Sequence, residues 1–235
     1  MFYLARKKII FIIVEGPSDD TALGAIFNRI YDTNTVHVHI THGDITTRID
    51  IRPDNVIRQV GNIVRKYAEE FNLLPKDFQK IIHIIDTDGA YIPDDFIVED
   101  INSSKTIYFE DCIITTDRNN IINRNLQKRQ NLNRLSICNT IWRIQYRIFY
   151  MSCNLDHALY GFLNLSDEEK ESYAYNFALC YRNNILEFIN FITNSDFSVS
   201  LPYKDSWNFI KTDCESLRRH TNLGICFTEP SDKDK

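Results

Sequence analysis

The stretch Ile81–Gly89, IIHIIDTDG, decides the fold of this chain. It is a run of mostly β-branched aliphatic residues that ends in two aspartates one residue apart, with a glycine directly after them. A short apolar run of this kind predicts a β-strand that is buried on both faces, as in a parallel sheet. Because side chains alternate along an extended chain, we expect Asp86 and Asp88 to point to the same side, where their oxygens can hold one hard cation.

A second run of the same kind lies upstream, at Ile9–Gly16, IIFIIVEG, and it also ends in an acid, Glu15. The next residues, Gly16-Pro17-Ser18-Asp19, predict the start of a helix, since proline suits the first helical turn and serine or aspartate caps exposed N–H groups. Open parallel sheets place their ligand sites at the carboxyl ends of the strands. We therefore expect Glu15 to join Asp86 and Asp88 in a metal site.

The segments between and around these two strands show alternating strand and helix patterns up to the aspartate pair. This order predicts βαβ units, with right-handed crossovers and a mostly parallel sheet flanked by helices. The predicted segments are a helix over 20–31, a strand over 35–40, a helix over 54–71, a strand over 147–153 and helices over 168–181, 184–193 and roughly 206–219.

This pattern predicts two parts. Residues 1–155 form an α/β domain with an insertion at about 89–145, and residues 156–235 form a helical extension packed on it.

Composition narrows the class of protein. The chain has 235 residues, a formal net charge of −5 and 43% hydrophobic residues, which is enough for a sizeable core. Its six cysteines are irregularly spaced without a CxxC pair, which favours free thiols over a zinc site. The apolar run that ends at Glu15 is too short for a membrane span and lacks a signal-peptide cleavage site. We expect a cytoplasmic protein that does not bind membranes.

One segment, from Arg118 to Arg147, carries many basic residues and no acid, with asparagine and glutamine between them. Lysine and arginine neutralise phosphates, and the amides hydrogen-bond to backbone or base edges, so the segment predicts contact with nucleic acid. A solvated helix face is the alternative. With a smaller basic spot near the C-terminus, the predicted nucleic-acid-binding residues are Arg118, Arg124, Lys128, Arg129, Arg134, Arg218 and Arg219.

Together, IIVEGPSDDTAL and IIHIIDTDG resemble the TOPRIM domain, which topoisomerases, bacterial primases, RNase M5-like maturases and OLD-family nucleases share. The resemblance covers roughly residues 7–155. Glu15-Gly16 matches the first motif, Asp86-Thr87-Asp88 matches the second, and Asp19 stands where several TOPRIM proteins keep an acid. NLDHAL, at 154–159, looks like a variant of a later segment in OLD-like nucleases, with Asp156 where glutamate is commoner. The alternative for Asp156 is the N-cap of the following helix.

The resemblance implies a Mg²⁺ or Mn²⁺ ion on Asp86 and Asp88, with Glu15 binding a second ion or acting as general acid or base. Asp19 and Asp156 would be further metal ligands. Such an ion activates water and stabilises charge on a phosphodiester. The function implied is a metal-dependent nuclease acting on DNA or RNA, of the kind found among toxins and phage-defence effectors, with a homodimer or a partner ATPase or sensor protein as its assembly.

Two other functions remain open. The sequence Asp-Thr-Asp-Gly-Ala at 86–90 also looks like the first motif of HAD phosphatases, in which the first aspartate is the nucleophile. CIITT at 112–116 could imitate their second motif, but no late acidic strand follows residue 160. The other alternative is a non-catalytic module that binds nucleic acid or a protein partner.

Overall fold

Strands and helices alternate along the first part of the chain, in the order that the sequence predicts. The computed structural model describes residues 7–31 and 36–228. The strands are β1 (Lys8–Val14), β2 (Val36–His42), β3 (Phe78–Asp86), β4 (Ile97–Glu99), β5 (Ile107–Tyr108), β6 (Ile113–Thr115), β7 (Thr140–Ile141) and β8 (Ile144–Met151). The helices are α1 (Pro17–Ile30), α2 (Val56–Glu70), α3 (Arg118–Ser136), α4 (Leu155–Tyr160), α5 (Asp167–Tyr181), α6 (Ile185–Asn194), α7 (Tyr203–Phe209) and α8 (Ile225–Thr228).

The larger sheet has five strands in the order β2-β1-β3-β8-β7. Strand β1 pairs in parallel with both β2 and β3, and β7 pairs antiparallel with β8. Opposite β1, Ile13 pairs with Thr41 on β2 and with His83 on β3. The prediction of an α/β fold with a mostly parallel sheet flanked by helices is confirmed. Thr35, where the second strand was predicted to begin, lies outside the described residues.

Burial explains why these segments form strands and helices. Every residue of β1 after Lys8 is buried, as expected for a strand with both faces covered. Helix α2 buries one stripe at helical spacing, with Val56, Val60 and Val64 fully enclosed. The Phe11 ring on β1 lies 5.3 Å from the Tyr67 ring. Burying an apolar side chain of this size contributes about 1.5–3 kcal/mol to the free energy of unfolding.

A smaller sheet, in the order β4-β6-β5, occupies part of the predicted insertion. Strand β6 pairs in parallel with β4 and antiparallel with β5. The segment 91–104, which the sequence suggested was irregular, therefore contains a short strand.

The described residues divide into two compact units that interleave along the chain. The first unit contains the described residues up to Ile84, then Gln130–Ile148 and Ala174–Ile185. The second contains Ile85–Arg129, Phe149–Tyr173 and the described residues from Leu186 onward. The predicted division into residues 1–155 and 156–235 stays a prediction.

The C-terminal helices agree with the sequence except for one. Helices α5 and α6 match their predicted ranges within a few residues, whereas the helix predicted over 206–219 is wrong, because α7 ends at Phe209. Turns with hydrogen bonds between residues three apart follow it, and Asp213 has a left-handed backbone with φ of 41°. No helix in the described part of the chain is both long and apolar enough to cross a membrane. The tail 229–235 lies outside the described residues.

Candidate functional site

The turn Asp86–Gly89 follows the buried strand β3 and is fixed by hydrogen bonds within the second unit. The Thr87 N–H donates to the Met151 carbonyl at 3.0 Å, and the Asp88 N–H donates to the Cys153 carbonyl at 2.8 Å. The Thr87 hydroxyl donates to the Ser216 carbonyl at 2.7 Å and accepts from the Cys153 N–H at 2.8 Å. Thr87 has no exposed surface, and the hydrogen bonds of its side chain fix the position of the backbone between the two aspartates.

The backbone of the turn corrects one premise of the sequence argument. Strand β3 ends at Asp86, and Asp88 has a left-handed conformation with φ of 48°. The extended alternation that was expected to point Asp86 and Asp88 to the same side therefore does not continue to Asp88. Gly89 is also left-handed, with φ of 67°, and a Cβ atom there would lie 2.6 Å from the Leu217 side chain. Only glycine fits this position without strain.

Helix α3 supplies the polar partners of this turn. The Lys128 ammonium forms an ion pair with the Asp88 carboxylate, although the Lys128 side chain has no exposed surface. The Arg124 guanidinium donates to the Asp88 carbonyl at 2.9 Å and to the Tyr108 hydroxyl at 2.5 Å. Asn125, which is also buried, donates to the Gly89 carbonyl at 3.2 Å. Two cationic side chains thus hold the aspartate turn from one helix.

A buried thiol lies within the electrostatic field of these groups. Burial raises the pKa of Cys153 well above its ordinary value, and the Asp88 and Asp86 carboxylates raise it further. Arg124 and Lys128 act on the same pKa in the opposite direction. Two carboxylates and two cations of the second unit therefore lie within electrostatic range of one thiol.

Glu15 belongs to the first unit and has its own polar surroundings. The Thr46 hydroxyl donates to the Glu15 carboxylate at 3.4 Å and to the Asp44 carboxylate at 3.1 Å. Thr46 is itself buried, and Asn131 donates to its carbonyl at 2.9 Å. Glu15 is half-buried in this arrangement.

Two further predicted metal ligands are engaged elsewhere. The Asp19 carboxylate accepts a hydrogen bond from the Gly16 N–H at 2.9 Å, which closes the first turn of α1. Asp156 is buried and lies 3.7 Å from the Lys170 ammonium. Burial raises the Asp156 pKa, and Lys170 opposes this rise. The cap of α4 is Asn154, whose side chain accepts from the His157 N–H, so the alternative that made Asp156 the cap is wrong.

The predicted nucleic-acid-binding residues differ in how they are used. Five of the seven predicted residues use their side chains for hydrogen bonds or ion pairs inside the protein. Besides Arg124 and Lys128, these are Arg118, which donates to the Ile97 and Asp94 carbonyls, Arg218, which pairs with Glu215, and Arg219, which donates to the Ala158 and Leu159 carbonyls.

Arg129 is half-buried and Arg134 is exposed. The exposure of Arg134 makes it the better placed of these two for binding a polyanion, and the prediction of nucleic-acid contact stays a prediction.

No three His, Cys, Asp or Glu side chains in the described ranges lie close enough together to hold a metal ion. Sequence reasoning missed the residues that fix the turn, among them Ser216 and Tyr108.

Comparison with protein-family models, curated proteins and solved structures gave no match to this chain. The resemblance to TOPRIM nucleases therefore stays a prediction.

Proposed function

We propose that this protein is a metal-dependent phosphodiesterase that cleaves DNA or RNA, as the resemblance of its acidic motifs to the TOPRIM domain implies. One observation carries the proposal most: Asp86 ends strand β3 directly after five buried residues, 81–85, and the turn that presents Asp88 is fixed by buried hydrogen bonds. Carboxylates held rigidly at the carboxyl end of a buried strand are typical of catalytic sites in α/β proteins.

The chemistry of the donors fits a hard divalent cation. Carboxylate oxygens are the ligands that Mg²⁺ and Mn²⁺ prefer, and Asp86 and Asp88 would hold the ion. Burial also favours a cation, because two carboxylates in a partly desolvated turn repel each other. When bound, such an ion supplies charge stabilisation at the phosphorus oxygens and activation of water. The Lys128 ammonium already neutralises Asp88 in part.

The TOPRIM resemblance supports a role for Glu15, which follows directly after strand β1. Strands β1 and β3 are parallel neighbours in which Ile13 pairs with His83. We propose that Glu15 is needed for cleavage, either as a ligand of a second ion or as the group that accepts a proton from the attacking water at its carboxylate oxygen.

Binding of the polyanion is assigned to two basic side chains of α3, of which one is exposed and the other half-buried. Arg134 would contact phosphates, and Arg129 would add to the local positive potential. Arg118, Arg124 and Lys128 would act indirectly, because their hydrogen bonds hold the segments next to the aspartate turn. This division separates binding residues from residues that fix the site.

The experiment is a cleavage assay on plasmid, single-stranded DNA and tRNA in Mg²⁺ or Mn²⁺. We expect cleavage of at least one substrate, its loss in Asp86→Asn and in Glu15→Gln, and full activity in Asp95→Asn, which changes an exposed carboxylate. Circular dichroism should show the same fold for all four proteins. Metal-dependent cleavage that survives Asp86→Asn would overturn the proposal.

The ion pair between Lys128 and Asp88 also favours a second candidate, phosphoryl transfer to Asp86 as in HAD phosphatases. A lysine beside an aspartate pair is part of that family's pattern. Against it, Thr115 of the CIITT segment belongs to the smaller sheet and not to the strand next to β3. A phosphorylated enzyme that disappears in Asp86→Asn and persists in Glu15→Gln would favour this candidate over the nuclease.

A further inference from the structure

A recess of about 210 Å³ lies in the first unit, between the loop that follows β2 and helix α2. Its lining combines three isoleucines with polar side chains, among them Ile45, Ile51, Ile63, Gln59, Asn62 and Lys66. Pockets for drug-sized ligands usually measure about 300–1,000 Å³, so this recess can hold a smaller molecule or one end of a larger one.

The loop side of the recess is held in place by the rest of the first unit. Ile45 and Ile51 are buried. Asn131 of α3 donates to the Thr46 carbonyl at 2.9 Å and to the Ile51 carbonyl at 3.3 Å, and the Ile51 N–H donates to the Arg48 carbonyl at 2.9 Å. A ligand would therefore meet an apolar floor that needs little ordering when it binds.

Hydrogen bonds between side chains fix what the amide groups of the recess can offer. The Arg65 guanidinium donates to the Asn62 side-chain oxygen at 2.8 Å, and the Asn62 amide nitrogen donates to the Gln59 side-chain oxygen at 3.2 Å. Because a guanidinium can only donate, both amides are fixed in orientation and both of their oxygens are occupied. The Gln59 NH₂ group remains a donor without an acceptor among the described residues.

The Lys66 ammonium adds a positive charge to these donors. It forms no ion pair or hydrogen bond with any residue in the described ranges 7–31 and 36–228. The guanidinium of Arg48, which also lines the recess, is held by the Asp50 carboxylate at 2.8 and 3.1 Å. A recess that offers donors and a positive charge above an apolar floor is complementary to an organic anion rich in acceptors, such as a phosphate ester.

We propose that this recess binds a single nucleotide, with the phosphate at Lys66 and Gln59 and the base or sugar against the isoleucines. The nucleotide is either free or the end of a nucleic-acid strand. Its choice among organic anions rests on the proposed function, because nucleic acid and its cleavage products carry this phosphate. The loop also carries Thr46, whose hydroxyl donates to the Glu15 carboxylate at 3.4 Å, so a ligand against Ile45 lies one residue along the chain from a partner of Glu15.

The test is a ligand-observed NMR titration of the full chain with uridine and adenosine monophosphate, in the absence of divalent ions. We expect saturable binding of at least one of them. Uridine, which lacks the phosphate, and ribose phosphate, which lacks the base, should each bind at least about fivefold more weakly. An oligonucleotide with and without a terminal phosphate distinguishes the two sources: tighter binding of the phosphorylated strand assigns the site to a strand end, and equal binding assigns it to the free nucleotide.

Substitutions that change the donors test the geometry. Gln59→Glu is nearly isosteric and replaces the donor by a negatively charged acceptor, so it should weaken nucleotide binding at least about tenfold. Lys66→Met should weaken it about fivefold, whereas Lys66→Arg keeps the charge and should stay within about twofold of the wild type. These positions are half-buried or exposed, so the variants should keep the circular dichroism spectrum of the wild type.

Arg58→Met is the matched control, since it removes one positive charge from an exposed position of α2 that does not line the recess. Its affinity should stay within about twofold of the wild type, because exposed charges are screened by solvent and salt. This control separates a specific effect of Lys66 from a general effect of net charge.

The possible outcomes distinguish this inference from the proposed function. Nucleotide binding that weakens in Gln59→Glu and Lys66→Met but not in Arg58→Met supports the inference. No saturable binding by the wild type, or no specific weakening in the first two variants, overturns it, and nucleic-acid cleavage by the same protein would still uphold the proposed function. Specific nucleotide binding by a protein that cleaves no nucleic acid supports the recess as a nucleotide site and overturns the proposed function.

Discussion

The Lys128 ammonium, on a side chain with no exposed surface, is paired with the Asp88 carboxylate at the end of the turn that follows β3. This pair joins the middle of helix α3 to the motif on which the proposed function depends. It makes α3 a structural support of the aspartate turn.

Asp88→Asn should destabilise the protein more than Lys128→Met does. Removing the Asp88 carboxylate deprives the buried ammonium of an anion paired with it, which costs about 3–5 kcal/mol, whereas the methionine variant should lose about 1–3 kcal/mol. Urea denaturation followed by circular dichroism measures both. The double variant should show a coupling energy of about 1–3 kcal/mol in a double-mutant cycle. Strictly additive losses would mean that the pair contributes nothing as a unit.

Gly89→Ala should lower the free energy of unfolding by about 2–4 kcal/mol. The new Cβ atom would lie 2.6 Å from the Leu217 side chain, and the left-handed backbone at φ of 67° is strained for alanine. Gly16→Ala is the control, because a Cβ atom there would lie 3.9 Å from its nearest neighbours, the side chains of Ser18 and Asp19, which is an ordinary van der Waals distance. Equal stability of the two variants in urea denaturation would contradict the geometry of this turn.

Arg124→Lys should cost about 2–3 kcal/mol although the positive charge is retained. An ammonium cannot reproduce the fork that reaches the Asp88 carbonyl at 2.9 Å and the Tyr108 hydroxyl at 2.5 Å. The exposed Arg134→Lys, on the same helix, should change stability by less than about 0.5 kcal/mol. Thermal denaturation of both variants measures the difference in stability. If Arg124→Lys is as stable as the wild type, Arg124 does not fix the turn in the way described.

Acid should weaken the folded state partly through His39. Burial, and secondarily the charge of His37, lowers the His39 pKa from 6.5 to about 4. The unfolded chain therefore binds a proton at His39 between about pH 6.5 and 4 that the folded chain does not bind, so stability falls as the pH drops through this window. Because the ring is half-exposed, we expect a contribution of about 1–2 kcal/mol after allowance for solvent screening.

The His39→Phe variant isolates this effect, since phenylalanine can keep the stacking on Tyr67 that the His39 ring makes at 3.8 Å. It should lose less stability than the wild type between pH 6.5 and 4 in urea titrations. His42→Gln, at the exposed end of β2, serves as the control and should follow the wild-type profile. Parallel profiles for all three proteins would exclude His39 as the source.

Arg134→Ala should weaken nucleic-acid binding about two- to fivefold and reduce the slope of log K against log salt by about 1. The control Arg58→Ala removes the same charge from an exposed position on another helix, α2, and should leave both quantities unchanged. Fluorescence anisotropy with labelled DNA and RNA oligonucleotides at several salt concentrations measures both. If binding is lost in Arg58→Ala and not in Arg134→Ala, the nucleic-acid-binding surface does not include Arg134 of α3.

Much of the fold follows from hydrophobic periodicity. The two isoleucine-rich runs predict the parallel neighbours β1 and β3, since each is long enough for one buried strand and each ends in polar turn residues. The helix predicted over 206–219 fails for a local reason. The Ser216 carbonyl accepts hydrogen bonds from the Thr87 hydroxyl and the Cys153 N–H. Because its carbonyl bonds to the aspartate turn and to the residues next to it, this segment does not form a regular helix.

Burial in α3 was harder to predict, because a segment without acids resembles a solvated or phosphate-binding face. One signal could have shown that Lys128 is buried. The buried stripe of this helix consists of positions spaced alternately four and three residues apart, namely Ile121, Asn125, Lys128, Leu132 and Leu135. Two of these five residues, Asn125 and Lys128, are polar. A lysine inside such a stripe predicts a buried anionic partner, although the sequence alone does not identify Asp88.

Manganese uptake at Asp86 is the most direct measurement of whether these carboxylates form a metal centre. Electron paramagnetic resonance of Mn²⁺ titrated into the protein reports free ion, so binding appears as loss of the free-ion signal. We expect saturable uptake by the wild type and by Asp95→Asn, and loss of that uptake in a folded Asp86→Asn variant. Uptake that is undetectable in the wild type, or equal in the wild type and Asp86→Asn, would contradict the proposed centre.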